Sequence, residues 1–275
     1  MNIANTLKSF EPISLKDLNQ RAELMKRQET KYLCTKPQLD IILKQLASKY
    51  YLLEIDNVRL FLYDNMYMDN HDLIFYHDHE SGKDVRMKLR KRKYVDTNQS
   101  FVEYKVKSKE VMDKKRLKLH SNHFMHMDPE ARQFFDQMHK KSMKVVPTMQ
   151  TTYNRITLCS KTSEERLTID VNLVFSDPKD KKSPSLQVKD FVIIEIKQKD
   201  GSRSVFAKNI IEKAGGVLSQ GCSKYCLGLI YFGKVKKFTH FQETVNFIEN
   251  HGGVKKIRKK TPVKKKTKIM KKNKK

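Results

Sequence analysis

From residue 86 to residue 92 every even-numbered position is a cation, Arg86, Lys88, Arg90 and Arg92, and Met87 and Leu89 lie between them. A period of two belongs to the β-strand, whose successive side chains leave opposite faces, so all four cations share one face. Neighbouring segments repeat the pattern. Glu103, Lys105 and Lys107 oppose Val102, Tyr104 and Val106, and Lys114, Arg116 and Lys118 oppose Leu117 and Leu119. Arg166, Thr168, Asp170 and Asn172 oppose Leu167, Ile169, Val171 and Leu173, while Glu195 and Lys197 oppose Val192, Ile194 and Ile196. Lys31 and Arg155 extend the polar face to two more segments. The tally is Lys31, Arg86, Lys88, Arg90, Arg92, Lys105, Lys107, Lys114, Arg116, Lys118, Arg155, Arg166 and Lys197 against Glu29, Glu103, Asp170 and Glu195. An amphipathic sheet facing water would intersperse the two signs, because like charges on adjacent strands repel. So one-sided a face predicts an anionic ligand. If the sheet closes with these faces inward, its apolar faces pack outward against helices and its lumen is a basic tunnel.

Strands are expected at 27–35, 59–68, 85–94, 101–107, 114–120, 145–158, 166–175 and 191–197, and helices at 36–50, 128–139 and 205–214. The fold class predicted is therefore α+β, an eight-stranded antiparallel β-barrel with flanking helices, which manages its edges by closure. No repeat and no Pro- or Gly-rich linker divides residues 1–253, so they are expected to form one domain. Residues 254–275 carry 13 Lys or Arg and no acid, half of the net charge of +26, and are expected to form a disordered basic tail. Such a tail suits nucleic acid, anionic lipid or polyphosphate, which composition does not separate. Four cysteines do not make a disulfide scaffold, no apolar run reaches the roughly 20 residues of a membrane span, and residues 1–10 show no signal-peptide pattern. The expected location is the cytoplasm, with peripheral membrane association through the tail.

Taken in order, the motifs resemble a known family. They are Arg27-Gln28-Glu29-Thr30-Lys31-Tyr32, Tyr67-Met68-Asp69, Arg86-x-Lys88-x-Arg90-x-Arg92 with Tyr94, and Glu103-x-Lys105-x-Lys107. Lys114-x-Arg116-x-Lys118, Tyr153-Asn154-Arg155, Arg166-x-Thr168-x-Asp170, Ile194-Glu195-Ile196-Lys197 and Ser223-Lys224-Tyr225 follow. Together they resemble the catalytic domain of the vacuolar transporter chaperone (VTC) polyphosphate polymerases, of the triphosphate tunnel metalloenzyme superfamily, over about residues 20–232. The resemblance implies transfer of the γ-phosphoryl group of ATP to a growing polyphosphate or pyrophosphate chain, with Mn²⁺ or Mg²⁺. It implies that Lys31, Arg90, Arg92, Lys105, Arg155, Arg166 and Lys224 act at the reacting phosphates. Arg86, Lys88, Lys107, Lys114, Arg116, Lys118, Tyr153, Lys197 and Ser223 are implied to hold the substrate, and Glu195 to bind the metal. Arg suits bidentate phosphate contacts and Lys supplies a compact charge. The acceptor oxygen is already anionic, so positioning and charge neutralisation carry the reaction and no strong base is required.

Two alternatives remain open at this point. One is hydrolysis of triphosphate in the same kind of tunnel, although the segment from Arg27 to Lys31 has one acid where the hydrolases' ExExK pattern has two. The other is passive polyanion binding. A stacking-type nucleic-acid binder would interleave aromatics with its cations, whereas Met87, Leu89, Val102, Leu117 and Leu119 alternate with them here. His77, His79, His120, His123 and His126 complete no metal spacing and are expected at the surface or in loops. Cys222 and Cys226 are expected to be inert thiols. Replacing Lys91, on the opposite parity, is expected to matter little for affinity or rate.

Overall fold

Each of the eight alternating segments becomes a strand, and all join one sheet. The computed structural model describes residues 3–21, 27–108, 112–120, 124–140, 142–180, 182–199 and 204–254. In chain order the elements are α1 (Ile3–Leu7), β1 (Glu11–Ile13), α2 (Leu15–Arg21), β2 (Arg27–Cys34), α3 (Lys36–Leu46), β3 (Tyr50–Leu53) and β4 (Phe61–Asp69). Then come α4 (Ile74–Glu80), β5 (Arg86–Tyr94), β6 (Gln99–Lys107), β7 (Met112–Leu119), α5 (Pro129–His139), β8 (Val146–Ser160) and β9 (Glu165–Ser176). The chain continues through β10 (Leu186–Gln187), β11 (Val192–Lys199), α6 (Phe206–Lys213), β12 (Val217–Leu218), α7 (Lys224–Tyr231), a 3₁₀ turn (Thr239–Phe241) and α8 (Gln242–His251).

The sheet runs β12-β2-β11-β9-β8-β4-β5-β6-β7, antiparallel at every step. Three short strands branch off: β3 on β8, β1 on β3 and β10 on β9. The expected closed barrel of eight strands is thus corrected to twelve strands whose ladder, among the described residues, does not join β7 to β2. The outer edge of β2 is occupied by β12 only at Tyr32 and Leu33. The sheet still curls, because Lys105 on β6 reaches across to Glu29 on β2 at 3.6 Å. Side chains therefore bridge the two ends of the sheet without a backbone ladder.

The outer face carries most of the core. Tyr32, Leu167, Ile169, Val171, Val192, Ile194 and Ile196 pack against Leu39, Ile42, Leu43 and Leu46 of α3 and Ala207 and Ile211 of α6. The α3 stripe follows i, i+3, i+4, i+7 spacing, and each such side chain contributes about 1.5–3 kcal/mol when fully buried. Thr35 starts this helix with a capping box, its hydroxyl accepting from the Gln38 N–H while the Gln38 side chain accepts from the Thr35 N–H. Farther round, α5 covers Met66, Leu89, Val102 and Tyr104 with Ala131 and Phe135.

The inner face is divided. On one part α7 and α8 pack against Leu33, Tyr67, Met149, Leu173, Phe175 and Ile193. Helix α7 lies so close to β8 that a Cβ on Gly228 would meet Met149 Cγ at 2.6 Å. The rest of that face carries charge. A bulge interrupts the alternation where Thr152 pairs with Val174 but Asn154 pairs with Val171. Asn172 there takes a left-handed φ of 57°. Its side chain bonds Asn154 and accepts from Lys36 at the start of α3, so it leaves the cationic face to which its parity assigned it.

Candidate functional site

Successive pairs of β5 and β6 form rungs: Arg92 opposite Phe101, Arg90 opposite Glu103, Lys88 opposite Lys105 and Arg86 opposite Lys107. Each rung is one two-residue step, about 7 Å, along the inner face. Three buried acids organise the cations around it.

Glu103, only 1% exposed, accepts from Arg90 Nε at 2.7 Å and from Lys114 Nζ at 2.6 Å, with Arg92 Nη1 at 3.7 Å. Burial pushes its pKa up, but the three cations outweigh it and hold the carboxyl well below its ordinary range. Arg90 also donates to the Tyr67 hydroxyl at 3.3 Å, and Arg92 to Asn65 Oδ1 at 2.9 Å and the Tyr153 hydroxyl at 3.4 Å. Both guanidiniums are therefore fixed before any ligand arrives.

Asp170 is gripped by Arg155 through two bonds of 2.6 and 2.8 Å and by Lys224, whose ammonium lies 4.4 Å from the Tyr153 ring centroid. Burial opposes ionisation, yet Arg155 and Lys224 bring the Asp170 carboxyl down to about 2. Glu195 lies 3.3 Å from Lys31 and 3.8 Å from Lys197. These charges and a hydrogen bond with Glu29 overcome its burial and keep it well below the carboxylate range. Lys31 is raised in turn, chiefly by Glu195. Lys88 donates to Ser223 Oγ at 3.2 Å and is lowered to about 7, first by burial and also by Lys105, Lys31 and Arg90.

Of the residues singled out in the sequence, Lys31, Lys88, Arg90, Arg92, Lys105, Lys114, Tyr153, Arg155, Glu195, Lys197, Ser223 and Lys224 are linked by these contacts. Arg166 pairs in register with Lys197, so its half-buried side chain adjoins the Glu195 cluster. The others lie toward the ends: Arg86 and Lys107 share the last rung, and Arg116 and Lys118 are exposed on the edge strand β7.

Lys91, of opposite parity, does not face this path. It is fully buried beneath α5, donating to Asp128 Oδ2 at 2.6 Å and to the His126 carbonyl at 2.8 Å. Asp128 is also the N-cap of α5. His79 is on helix α4 rather than in a loop, half-buried, with Nδ1 3.5 Å from Cys226 Sγ. His120 pairs with Glu130, and His123 lies outside the described residues. All four cysteines are free, and burial raises the thiols of Cys222 and Cys226, the latter to about 11.

Tyr67, Tyr94 and Tyr153 stand in the sequence motifs, whereas Tyr63 and Phe101 do not. Tyr63, Tyr67, Tyr94, Phe101 and Tyr153 share the inner face with the cations, and Arg92 lies 5.2 Å from the Tyr63 centroid and 5.8 Å from that of Tyr94. Arg155 lies 5.1 Å from Tyr63, and Arg116 5.2 Å from Phe101. Parity carried the signal, since Tyr94 continues the series Arg86 to Arg92 and Phe101 precedes Glu103 by two.

Among the described residues no group of three or more His, Cys, Asp and Glu could hold a metal by itself. A hard divalent cation needs less protein than that, since Mg²⁺ uses one or two carboxylates and fills its shell with phosphate oxygens and water. Glu195 with the adjoining Glu29 fits this donor set, and the buried Thr168 hydroxyl opposite Glu195 has no hydrogen-bond partner.

Several solved structures have a similar shape at low identity. A Hippeastrum protein, named for adenylyl cyclase and described as having a dominant triphosphatase activity, is 12% identical with a TM-score of 0.45 over 78% of this chain and 100% of its own. A Bacillus halodurans protein named for adenylate cyclase is 15% identical with a TM-score of 0.43, over 70% of this chain and 92% of its own. A Pyrococcus horikoshii protein is 13% identical with a TM-score of 0.40, over 76% and 100%. No curated protein sequence matches the chain. The model of the VTC domain matches residues 26–232, from β2 to the end of α7, and so includes each of the three acid-centred clusters; the chain belongs to the VTC domain family.

Proposed function

We propose that this protein is a metal-dependent polyphosphate polymerase, transferring the γ-phosphoryl group of ATP to the end of an inorganic polyphosphate or pyrophosphate chain. The observation that carries this reading is the cationic lining from Arg92 through Arg90, Lys114, Lys88, Lys105 and Lys31 to Arg155 and Lys224, among which stand aromatic rings and acids that already hold cations. A linear polyanion matches such a lining better than a single phosphate does.

In this reading Arg90, Arg92, Arg155 and Arg166 bind phosphate oxygens through their planar forks, and Lys31, Lys105 and Lys224 add point charges around the transferred group. Arg86, Lys88, Lys107, Lys114, Arg116, Lys118 and Lys197 guide the chain, and the Tyr153 and Ser223 hydroxyls donate to it. An oxygen of the acceptor chain's terminal phosphate forms the new bond to the γ-phosphorus as the bond to the ADP oxygen breaks. The acceptor has no proton to lose, and pre-set cations stabilise charge spread over the transferred oxygens. Glu195, with Glu29, would hold Mn²⁺ or Mg²⁺, which supplies further charge neutralisation at the phosphates when bound.

Purified protein incubated with ATP and Mn²⁺ should yield long phosphate chains and ADP. Release of orthophosphate without chains would instead support hydrolysis, a reading favoured by the neighbouring carboxylates of Glu29 and Glu195.

A further inference from the structure

The inner face has two unlike ends. At the Arg86–Lys107 rung the two strands contribute cations, with His240 and Glu80 nearby, while toward the opposite end, beside the turn joining β5 to β6, Tyr94 and Phe101 on neighbouring rungs meet at 5.6 Å with their rings at 85°. Tyr63 continues the cluster inward, 4.9 Å from Tyr94 and stacked on Tyr153 at 5.4 Å and 15°. The deeper rings are occupied: Tyr153 is buried, and Tyr63 has Arg92 and Arg155 near its centroid. Tyr94 and Phe101 are only half-buried, and the cation over Phe101 belongs to the exposed Arg116 of the edge strand.

We propose that Phe101, Tyr94 and Arg116 form a stacking platform for the purine base of the nucleoside triphosphate, so that ATP enters with its base at this rim and its phosphates directed along the cationic path. Aromatic rings and guanidinium planes are the two surfaces on which bases stack, and at this rim Tyr94, Phe101 and Arg116 stand together, half-buried or exposed. Spacing agrees. From Phe101 to Lys105 is four strand residues, about 13 Å, comparable with an extended nucleoside triphosphate from base to γ-phosphate. Lys105 contacts Glu29, beside Glu195, so the γ-phosphate of a nucleotide seated in this way reaches the acid pair. Arg92 shares the rung of Phe101 and Arg90 lies on the next, so both flank the inner phosphates of a nucleotide seated in this way.

This inference rests on the proposal that the path binds triphosphates, and one set of titrations separates the two. Tripolyphosphate, ATP and UTP are titrated calorimetrically into the wild-type protein and into Phe101→Leu and Tyr94→Leu at matched ionic strength. The platform predicts that wild type binds ATP several-fold tighter than UTP, which carries the same charge and a smaller base. It also predicts that either substitution weakens ATP about tenfold while tripolyphosphate affinity stays within twofold, which also reports an intact fold. If wild type fails to bind tripolyphosphate, the functional proposal falls. If wild type binds it but ATP and UTP bind alike, or the variants lose ATP and tripolyphosphate equally, the platform is wrong. Should Phe101→Leu fail to fold, Tyr94→Leu and the wild-type ATP/UTP ratio decide the matter.

Discussion

At the scale of residues, the site is built from acids as much as from cations. Glu103 and Asp170 are nearly inaccessible and each fixes at least two cations, so the empty path presents positive groups held in place rather than free to wander. Arg90→Ala should remove a charge-assisted contact worth about 1.5–3 kcal/mol, seen as a loss of one to two decades in tripolyphosphate affinity. Glu195→Gln should abolish chain synthesis from ATP while metal-free tripolyphosphate binding persists; near-normal turnover in that variant removes Glu195 from the mechanism. Lys88 makes the site sensitive to pH. Its pKa is lowered to about 7 in the folded protein, below its ordinary value, so from about pH 7 toward 10.5 the unfolded chain binds more protons. Stability of the empty protein should therefore rise with pH across that window, as tripolyphosphate affinity falls with loss of the Lys88 proton. Lys105 and Lys114, lowered chiefly by burial to about 8 and about 7, share that window, so Lys88→Met should make both profiles shallower without abolishing them, and a variant profile identical to wild type would contradict the assignment.

At the scale of elements, two attachments hold the lining in register. Helix α7 brings Ser223 and Lys224 to the path, and it is fastened by the Tyr225 hydroxyl donating to Asp69 Oδ2 at 2.6 Å and by the stack of Tyr225 on Tyr67 at 5.2 Å. Asp69 also accepts the backbone N–H groups of Asn70, Phe75 and Tyr76, tying α4 to the same point. Asp69→Ala would leave several buried donors unpaired, each costing about 1–3 kcal/mol, and should lower the urea midpoint sharply. The second attachment is Lys91 to Asp128, which pins β5 between Arg90 and Arg92 to the start of α5. Removing one partner of a buried ion pair costs about 3–5 kcal/mol. Lys91→Met should therefore be read in the melting temperature with affinity retained, whereas Arg90→Ala, which also takes a partner from the buried Glu103, should lower both.

At the scale of the whole molecule, a face rich in cations stores repulsion that a polyanion relieves only in the folded state. Tripolyphosphate should raise the melting temperature with concentration, by about 2.7 kcal/mol of stabilisation at 100 times its dissociation constant. It should outperform orthophosphate at matched ionic strength, and high salt should shrink the difference by screening. Identical responses to the two anions would argue against an extended binding path. Removing residues 254–275 takes away 13 positive charges and no residue of the three acid-centred clusters. Chain synthesis per molecule should survive that deletion, while salt-sensitive retention on nucleic acid, anionic vesicles or polyphosphate declines. Among the described residues no helix is long and apolar enough to cross a membrane.

Period-two alternation located, from sequence alone, eight of the twelve strands and the cations that share a face, because pleating is local and needs no knowledge of the partner strand. Apolar spacing likewise made α3 legible and Asp128 made α5 legible, although Thr35, expected at the end of a strand, is the N-cap of α3. Pairing, by contrast, depends on residues far apart in the chain. Only the tertiary structure decided that the sheet holds twelve strands and curls until Lys105 meets Glu29 without a closing ladder. Asn172 left its expected face because a bulge costs one residue of register and reverses parity beyond it. Helix α7 is absent from the expected helices because it is fastened by the bond of Tyr225 to Asp69, 156 residues away in the chain. Lys91, charged and on the outer face, looked solvated until Asp128 arrived from 37 residues away to pair with it. Local geometry fixed the faces, and long-range packing fixed what each face meets.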